Sequence, residues 1–130
     1  MNLAFTYFNT RQYDLWLKTW EAAIQTSNDP EMLAIIAEGS RVYAKSGYPA
    51  AARKLADLEF ELSKHRYFDP AILAFDYAEA GEKDKAFALL DKAFAEKSDA
   101  LVWIKIEARA AGLRSDPRYA TLLKKMGLLQ

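Results

Sequence analysis

The sequence predicts an all-α fold in which helices form pairs and the pairs stack side by side. Eight residues recur 34 positions later along the chain without a gap. They are Ala37, Tyr43, Ala44, Gly47, Ala52, Leu55, Asp57 and Phe60, which recur as Ala71, Tyr77, Ala78, Gly81, Ala86, Leu89, Asp91 and Phe94. Apolar residues are spaced by three and four between these points, and no segment alternates with a period of two. A period of this length is typical of helix pairs that bury their apolar faces against neighbouring pairs.

Prolines and glycines mark the ends of the predicted helices. Asp29-Pro30, Asp69-Pro70 and Asp116-Pro117 each place an N-capping aspartate before a proline at the first helical position. Gly47 and Gly81 suit the position just after a helix, where a left-handed backbone favours glycine. The predicted helices cover residues 2–9, 12–26, 30–46, 49–65, 70–80, 83–97, 99–109 and 117–126.

The first two helices form an N-terminal copy of the repeat that departs from the other two. Leu3-Ala4-x-x-Tyr7 opens it, but Arg11 stands where the turn glycine falls and Trp16 where a small residue is usual. Its connection to the next pair is two residues longer. We therefore expect its second helix to pack at a shifted angle, with Trp16 and Trp20 on one face that contributes to the core.

The second and third pairs carry the clearer copies. Ala52 and Ala86 recur where two helices must approach closely, so a larger side chain would not fit there. Tyr43 and Tyr77 recur where a ring can fill the space between the helices of a pair. We predict that both tyrosines pack in the core rather than contact a ligand.

The residues after 98 leave the repeat. The segment Leu101-Val102-Trp103-Ile104 is apolar nearly all round, which predicts a buried helix with Trp103 in the core. The last helix begins at Asp116-Pro117. An array of stacked pairs needs an atypical terminal segment to cover its last apolar face, and residues 99–130 fit that role.

The stretch Leu73-Ala74-x-x-Tyr77-x-x-x-Gly81-x-x-x-x-Ala86-x-x-x-Leu90-x-x-Ala93 resembles the tetratricopeptide repeat. The resemblance implies a right-handed α-solenoid of about three helix-turn-helix pairs, with repeats near residues 1–29, 30–65 and 66–98. Residues 99–130 would form the capping segment of this single domain, which covers residues 1–130.

The C-terminal half is similar to the ends of tetratricopeptide segments in large bacterial signalling and regulatory proteins. The likeness depends on Tyr67-x-x-Pro70, Gly81-Glu82-Lys83-Asp84-Lys85-Ala86-Phe87 and Leu113-Arg114-Ser115-Asp116-Pro117-Arg118-Tyr119. Those proteins often carry a proline near Ala108, and its absence here predicts an uninterrupted helix over residues 99–109. Since such segments follow other domains, we expect the chain to be a fragment of a longer protein.

Composition argues against several classes of function. Eighteen Lys and Arg balance eighteen Asp and Glu, so the chain lacks the net positive field that favours nucleic-acid binding. There is no cysteine, and no apolar run reaches the roughly 18 residues of a membrane span. We expect a cytoplasmic protein that binds neither nucleic acid nor membrane, or a periplasmic one if it belongs to a membrane-anchored regulator.

No pattern in the sequence predicts catalysis. His65 is the single histidine and has no local nucleophile or paired acid, so we interpret it as a surface or helix-end residue. Asp57 and Asp91 fall on the outer faces of their helices, where solvation is more common than metal binding. No P-loop, dinucleotide-binding, zinc-protease or EF-hand motif is present. The sequence therefore predicts no enzymatic activity, no metal and no cofactor.

The tetratricopeptide resemblance implies a concave groove lined by the first helix of each pair. Its partner would be a protein or peptide that is anchored by aromatic rings and oriented by ion pairs. The residues expected to contact the partner are Phe5, Phe8, Asn9, Arg41, Lys45, Phe75, Glu79, Lys105 and Arg109.

Three alternatives stay open at this stage. The groove could be filled by the protein's own chain or only by water, leaving a self-association or spacer module. The aromatic N-terminal face around Phe5 and Phe8 could meet a second copy in a homodimer. A small-ligand receptor or helical enzyme would need convergent titratable groups in a pocket, such as strongly perturbed carboxylates.

Overall fold

The computed structural model describes residues 13–128, and in this range every regular element is helical, with no strand. The helices are α1 (Tyr13–Ser27), α2 (Pro30–Ser46), α3 (Tyr48–Leu62), α4 (Pro70–Glu79), α5 (Lys83–Ala95), the 3-10 helices η1 (Asp99–Trp103) and η2 (Ala108–Leu113), and α6 (Pro117–Met126). The all-α prediction is therefore confirmed. The predicted helix over residues 2–9 lies outside the described residues, and the solenoid arrangement stays a prediction.

The prediction of one helix over residues 99–109 is wrong. The chain forms η1 and η2 instead, and the turn between them ends in an extended residue, Glu107, with φ −71° and ψ 115°. The Glu107 carboxylate accepts a hydrogen bond from the backbone N–H of Arg109 and so caps η2. This local hydrogen bond between an acidic side chain and the nearby backbone interrupts the helix, as a proline near Ala108 would otherwise do.

The chain divides into two compact units inside α3, after Leu58. In the first unit α1 packs against α2. Asp29 accepts a hydrogen bond from the Met32 N–H at the start of α2, as the Asp-Pro pattern predicts. Among the described residues of this unit, the buried apolar side chains are Leu17, Met32, Ile35, Ile36, Tyr48, Ala51, Ala52, Leu55 and Ala56.

Gly39 sets the distance between α2 and α3. A β-carbon placed on Gly39 would lie 2.5 Å from Cδ2 of Leu55, which is closer than real atoms approach. Only glycine therefore allows the two helices to come this near. Gly47, with φ 86°, then turns the chain from α2 into α3 and donates its N–H to the Tyr43 carbonyl.

In the second unit α4 is buried on almost every side, because α5, η1 and η2 all pack against it. Asp69 caps α4 by accepting from the Ala71 N–H, and it also accepts from the Ser98 hydroxyl just before η1. The largest apolar side chains of this core are Leu73, Phe75, Tyr77, Phe87, Leu90, Leu101, Ile104, Leu113, Tyr119, Leu122 and Leu123.

The two C-terminal motifs of the sequence meet in this unit. Asp116 caps α6 and holds the guanidinium of Arg118, whose Nη1 donates to Asp84 Oδ1 of α5 over 2.9 Å. The same guanidinium lies 4.4 Å from the ring centroid of Phe87. Hydrogen bonds from Arg118 lower the pKa of Asp116 to about 2. The motif Asp116-Pro117-Arg118-Tyr119 thus attaches α6 to α5.

The predictions for four single residues are confirmed. Asp57, Asp91 and His65 are exposed, and Tyr77 is buried. Tyr43 is half-buried and packs edge-on against Tyr48. Between residues 13 and 128, no helix combines the length and apolar character that crossing a bilayer requires.

Candidate interaction surface

Among the described residues, the most exposed cluster of large apolar side chains lies where η1 leads into the following turn. Val102 and Ile106 are each 62% exposed, and Trp103 is 58% exposed. Their neighbours Leu101 and Ile104, by contrast, are buried at 4% and 0%. We call Val102, Trp103 and Ile106 the apolar strip.

The 3-10 geometry explains this division. With three residues per turn, side chains three positions apart lie in line with each other. Backbone hydrogen bonds from Ile104 N–H to the Leu101 carbonyl and from Ile106 N–H to the Trp103 carbonyl show this spacing. Leu101 and Ile104 therefore share the buried side, while Trp103 and Ile106 share an exposed one.

The prediction of a buried helix with Trp103 in the core is therefore wrong. A segment that is apolar all round can be buried all round only if neighbours surround it. The segment instead packs on one side only. Its buried side faces α4 and α5, and the apolar strip is on the exposed side. Trp20 is half-buried, and the side chain of Trp16 lies outside the described residues.

A buried ionic cluster fixes the segment that follows the strip. Arg109 Nη1 donates to Asp76 Oδ1 of α4 over 2.6 Å, and its Nε and Nη2 donate to the two carboxylate oxygens of Glu107 over 2.8 and 3.2 Å. The guanidinium also lies 5.5 Å from the Phe75 ring centroid. This arrangement ties η2 to α4, because a charge-assisted pair that is largely out of water leaves little freedom of orientation.

A fourth member, Glu59, adds an extra acid to the cluster. Its side chain is buried and lies within hydrogen-bonding reach of Asp76. Burial, and then the neighbouring Asp76 carboxylate, raise the pKa of Glu59 well above its usual range. Burial also raises the pKa of Asp76, against the opposing effect of Arg109. For Glu107, burial is the largest single influence and raises the pKa, but the hydrogen bonds and the positive charge of Arg109 together lower it.

These directions rank the three carboxyl groups. The pKa of Glu59 is raised the most and that of Glu107 is lowered, so Glu59 retains a proton more readily than Asp76 or Glu107. Full ionisation of Glu59 would set three carboxylates against one guanidinium in the core. Oε1 of Glu59 accepts no hydrogen bond from any described residue.

The perturbed carboxylates lie in the interior of the second unit. Glu59 and Asp76 are only 2% and 9% exposed, so their carboxyl groups face protein rather than a substrate cleft. No group of acids and histidines that could hold a metal ion occurs among residues 13–128. The cluster's contacts are those of a structural clamp between α3, α4 and η2.

The residues of the first unit that were predicted to line a groove are described only in part. Phe5, Phe8 and Asn9 lie outside the described residues. Arg41 and Lys45 are exposed on α2, in line with the exposed Ala37, and Arg41 forms an ion pair with Glu38.

The groove residues of the second unit are not arranged as one open row. Phe75 is 1% exposed, so it offers no surface to a partner, and Arg109 covers it from η2. Glu79 is half-buried. Lys105 is exposed within the turn that carries the strip.

Sequence reasoning missed the strip and Glu59. A spacing of three between Leu101, Ile104 and Glu107 was the signal for a 3-10 register with one buried side. Glu59 lies between Leu55 and Leu62 at helical spacing, so its position in α3 is one that faces the core.

No protein-family model, curated protein or solved structure matches this chain.

Proposed function

We propose that this chain is a protein-interaction module that binds a peptide or partner protein, and that it belongs to a larger bacterial regulatory protein. The apolar strip carries the proposal. Three large apolar side chains exposed together on an anchored segment are unusual, and such patches generally mark contact sites. Tryptophan is also the residue that contributes most often to binding hot spots.

Because α4 is buried, its residues cannot line the predicted groove. The row on α2, with Ala37, Arg41 and Lys45, is open and remains a candidate surface of the first unit. On α4 the corresponding row is covered by η2, so the strip replaces it as the candidate surface of the second unit.

Affinity capture from a native cell lysate tests this function. The baits are the wild-type chain, Trp103→Ser and the double variant Arg41→Glu/Lys45→Glu. We expect the wild type to retain a partner that one of the two variants loses, since each variant alters one candidate surface. An identical set of proteins on all baits and on a blank support would rule the proposal out.

Self-association is the second candidate, since an exposed apolar strip also favours contact between copies. Light scattering over a range of concentrations separates the two functions. A strip-dependent dimer, lost in Trp103→Ser, would identify a self-association module. A monomer at all concentrations would leave partner binding as the explanation.

A further inference from the structure

The chemistry around the apolar strip indicates what kind of partner it fits. Lys105 lies in the same turn and is exposed, and its Nζ donates to the Leu128 carbonyl over 3.5 Å. Arg114 Nη2 donates to the backbone carbonyls of Lys105 over 2.8 Å and Glu107 over 3.3 Å. Two cations therefore flank the C-terminal end of the strip.

Neither cation has a carboxylate within salt-bridge distance among residues 13–128. Some other exposed cations do form such a pair, as in Arg41 with Glu38 and Lys64 with Glu61. The Glu107 carboxylate, which follows the strip directly, is buried and already holds Arg109. The positive charge of Lys105 is therefore available to a ligand, while that of Arg114 is partly offset by the nearby Glu107 carboxylate, whose pKa it lowers.

The spacing of the strip suits a helix. In a 3-10 turn, Trp103 and Ile106 are about 6 Å apart along the axis. One turn of an α-helix rises about 5.4 Å, so apolar residues at i and i+3 or i+4 of a partner helix can meet these two side chains in turn.

We propose that the apolar strip binds an amphipathic helical segment of a partner protein, whose apolar residues contact Val102, Trp103 and Ile106 and whose carboxylates face Lys105 and Arg114. This inference rests on the proposed function and names the ligand class for its surface. A second copy of this chain fits less well, because a two-fold contact through the strip would bring Lys105 and Arg114 close to their own copies.

Selection from a display library of random 16-residue peptides tests the inference. The full chain is the bait, and Trp103→Ser is the counter-selection. We expect enriched peptides with apolar residues spaced by three or four and with Asp or Glu beside them. The enriched peptide, made synthetically, should bind Trp103→Ser at least about tenfold more weakly by calorimetry. Because Trp103 is mostly exposed, this variant should keep the far-ultraviolet circular dichroism spectrum of the wild type.

Charge exchange separates recognition from a structural effect. Lys105→Glu should weaken binding of the acidic peptide and strengthen binding of a version whose carboxylates are changed to lysine. A misfolded variant would not bind the second peptide more tightly. Lys18→Glu, at an exposed position of α1 that belongs to neither candidate surface, is the matched control and should leave binding of both peptides unchanged.

Three results would overturn the inference. They are enrichment of peptides without carboxylates, equal binding to wild type and Trp103→Ser, and no enrichment at all. A strip-dependent dimer in light scattering would also overturn it in favour of a second copy. Loss of binding in Arg41→Glu/Lys45→Glu but not in Lys105→Glu would move the site to α2 and leave the broader interaction function standing.

Discussion

The two copies of the repeat, residues 37–60 and 71–94, share eight residues but bury them differently. Ala37 and Ala44 of α2 are exposed, whereas their counterparts Ala71 and Ala78 of α4 are buried. The alanine expected to face the other helix of its own pair is buried in both copies, since Ala52 is 5% exposed and its counterpart Ala86 is 0% exposed. The repeated residues therefore specify contacts within a pair, while the other face of the first helix depends on what covers it.

In the second unit that cover is η2, and it is held by charge. Asp76 on α4 occupies the repeat position of Val42 on α2. Val42 is half-buried and needs no polar partner, while Asp76 is buried and needs Arg109. The presence of Asp76 at this repeat position therefore distinguishes α4, which η2 covers, from α2, whose corresponding face is exposed.

Removing the cation of this clamp should have the largest effect. Arg109→Met keeps the length of the side chain but leaves Asp76 and Glu107 buried without their counter-charge. We expect a loss of about 3–5 kcal/mol in the free energy of unfolding, measured by urea denaturation at neutral pH. Arg41→Met breaks an exposed ion pair on α2 and is the matched control, with no resolvable change in the denaturation midpoint. Equal effects of the two variants would contradict the clamp.

Helix positions could be predicted from the sequence because their signals are local. Asp29-Pro30, Asp69-Pro70 and Asp116-Pro117 mark helix starts through side-chain caps to the adjacent backbone, and each helix begins at its proline. Gly47 and Gly81 mark turns that need positive φ, and both adopt it.

The site was harder to predict because it depends on contacts between distant residues. Arg109 was expected in an open groove, but it forms an ion pair with Asp76, 33 positions away along the chain, and its side chain is largely removed from solvent. Trp103 was expected in the core, but only one side of a 3-10 turn can face α4. Neither outcome follows from hydrophobicity or spacing in a single segment.

Enlarging a small residue tests the difference in cover between the two copies. Ala71→Leu should overpack the second unit and cost about 1–3 kcal/mol, because Ala71 is 0% exposed. Its counterpart Ala37→Leu should change the free energy of unfolding by less than about 0.5 kcal/mol, because Ala37 is exposed. Ala86→Leu should resemble Ala71→Leu. Similar melting temperatures for Ala71→Leu and Ala37→Leu would mean that the assigned cover of α4 is incorrect.

The acid pair predicts a pH dependence that belongs to the second unit. Since burial raises the pKa of Glu59, the folded state holds its proton more tightly than the unfolded state does. The stabilisation is therefore complete below the unfolded pKa of about 4.3 and is lost as pH rises toward the raised folded pKa. Asp76 acts in the same direction, and Glu107, with a lowered pKa, in the opposite one.

Glu59→Gln should remove the Glu59 contribution, since an amide can still donate to Asp76 without titrating. In the window just described, the wild type should lose up to about 1.4 kcal/mol per pH unit more than the variant, by urea denaturation at several pH values. Glu61→Gln, on an exposed position of α3, is the control and should keep the wild-type slope. Parallel pH profiles for wild type and Glu59→Gln would show that Glu59 is ionised in the fold.

The turn glycines test whether both copies need a positive φ after the first helix of a pair. Gly47 and Gly81 have φ of 86° and 83°, and backbone angles of this kind cost residues with a β-carbon about 1–3 kcal/mol. Around Gly81 a β-carbon would meet no atom within 4 Å, and at Gly47 the nearest is Pro49 Cδ at 4.0 Å, so backbone conformation alone sets the cost. We therefore expect Gly47→Ala and Gly81→Ala each to lower the free energy of unfolding by an amount in this range, measured by urea denaturation. Gly47 also has ψ 178°, a region almost exclusive to glycine, so Gly47→Ala should cost the more of the two. Gly112→Ala, at a glycine with open space and no positive φ, is the control and should be neutral or slightly stabilising. No loss of stability in Gly47→Ala or Gly81→Ala would mean that the turn concerned does not require a positive φ.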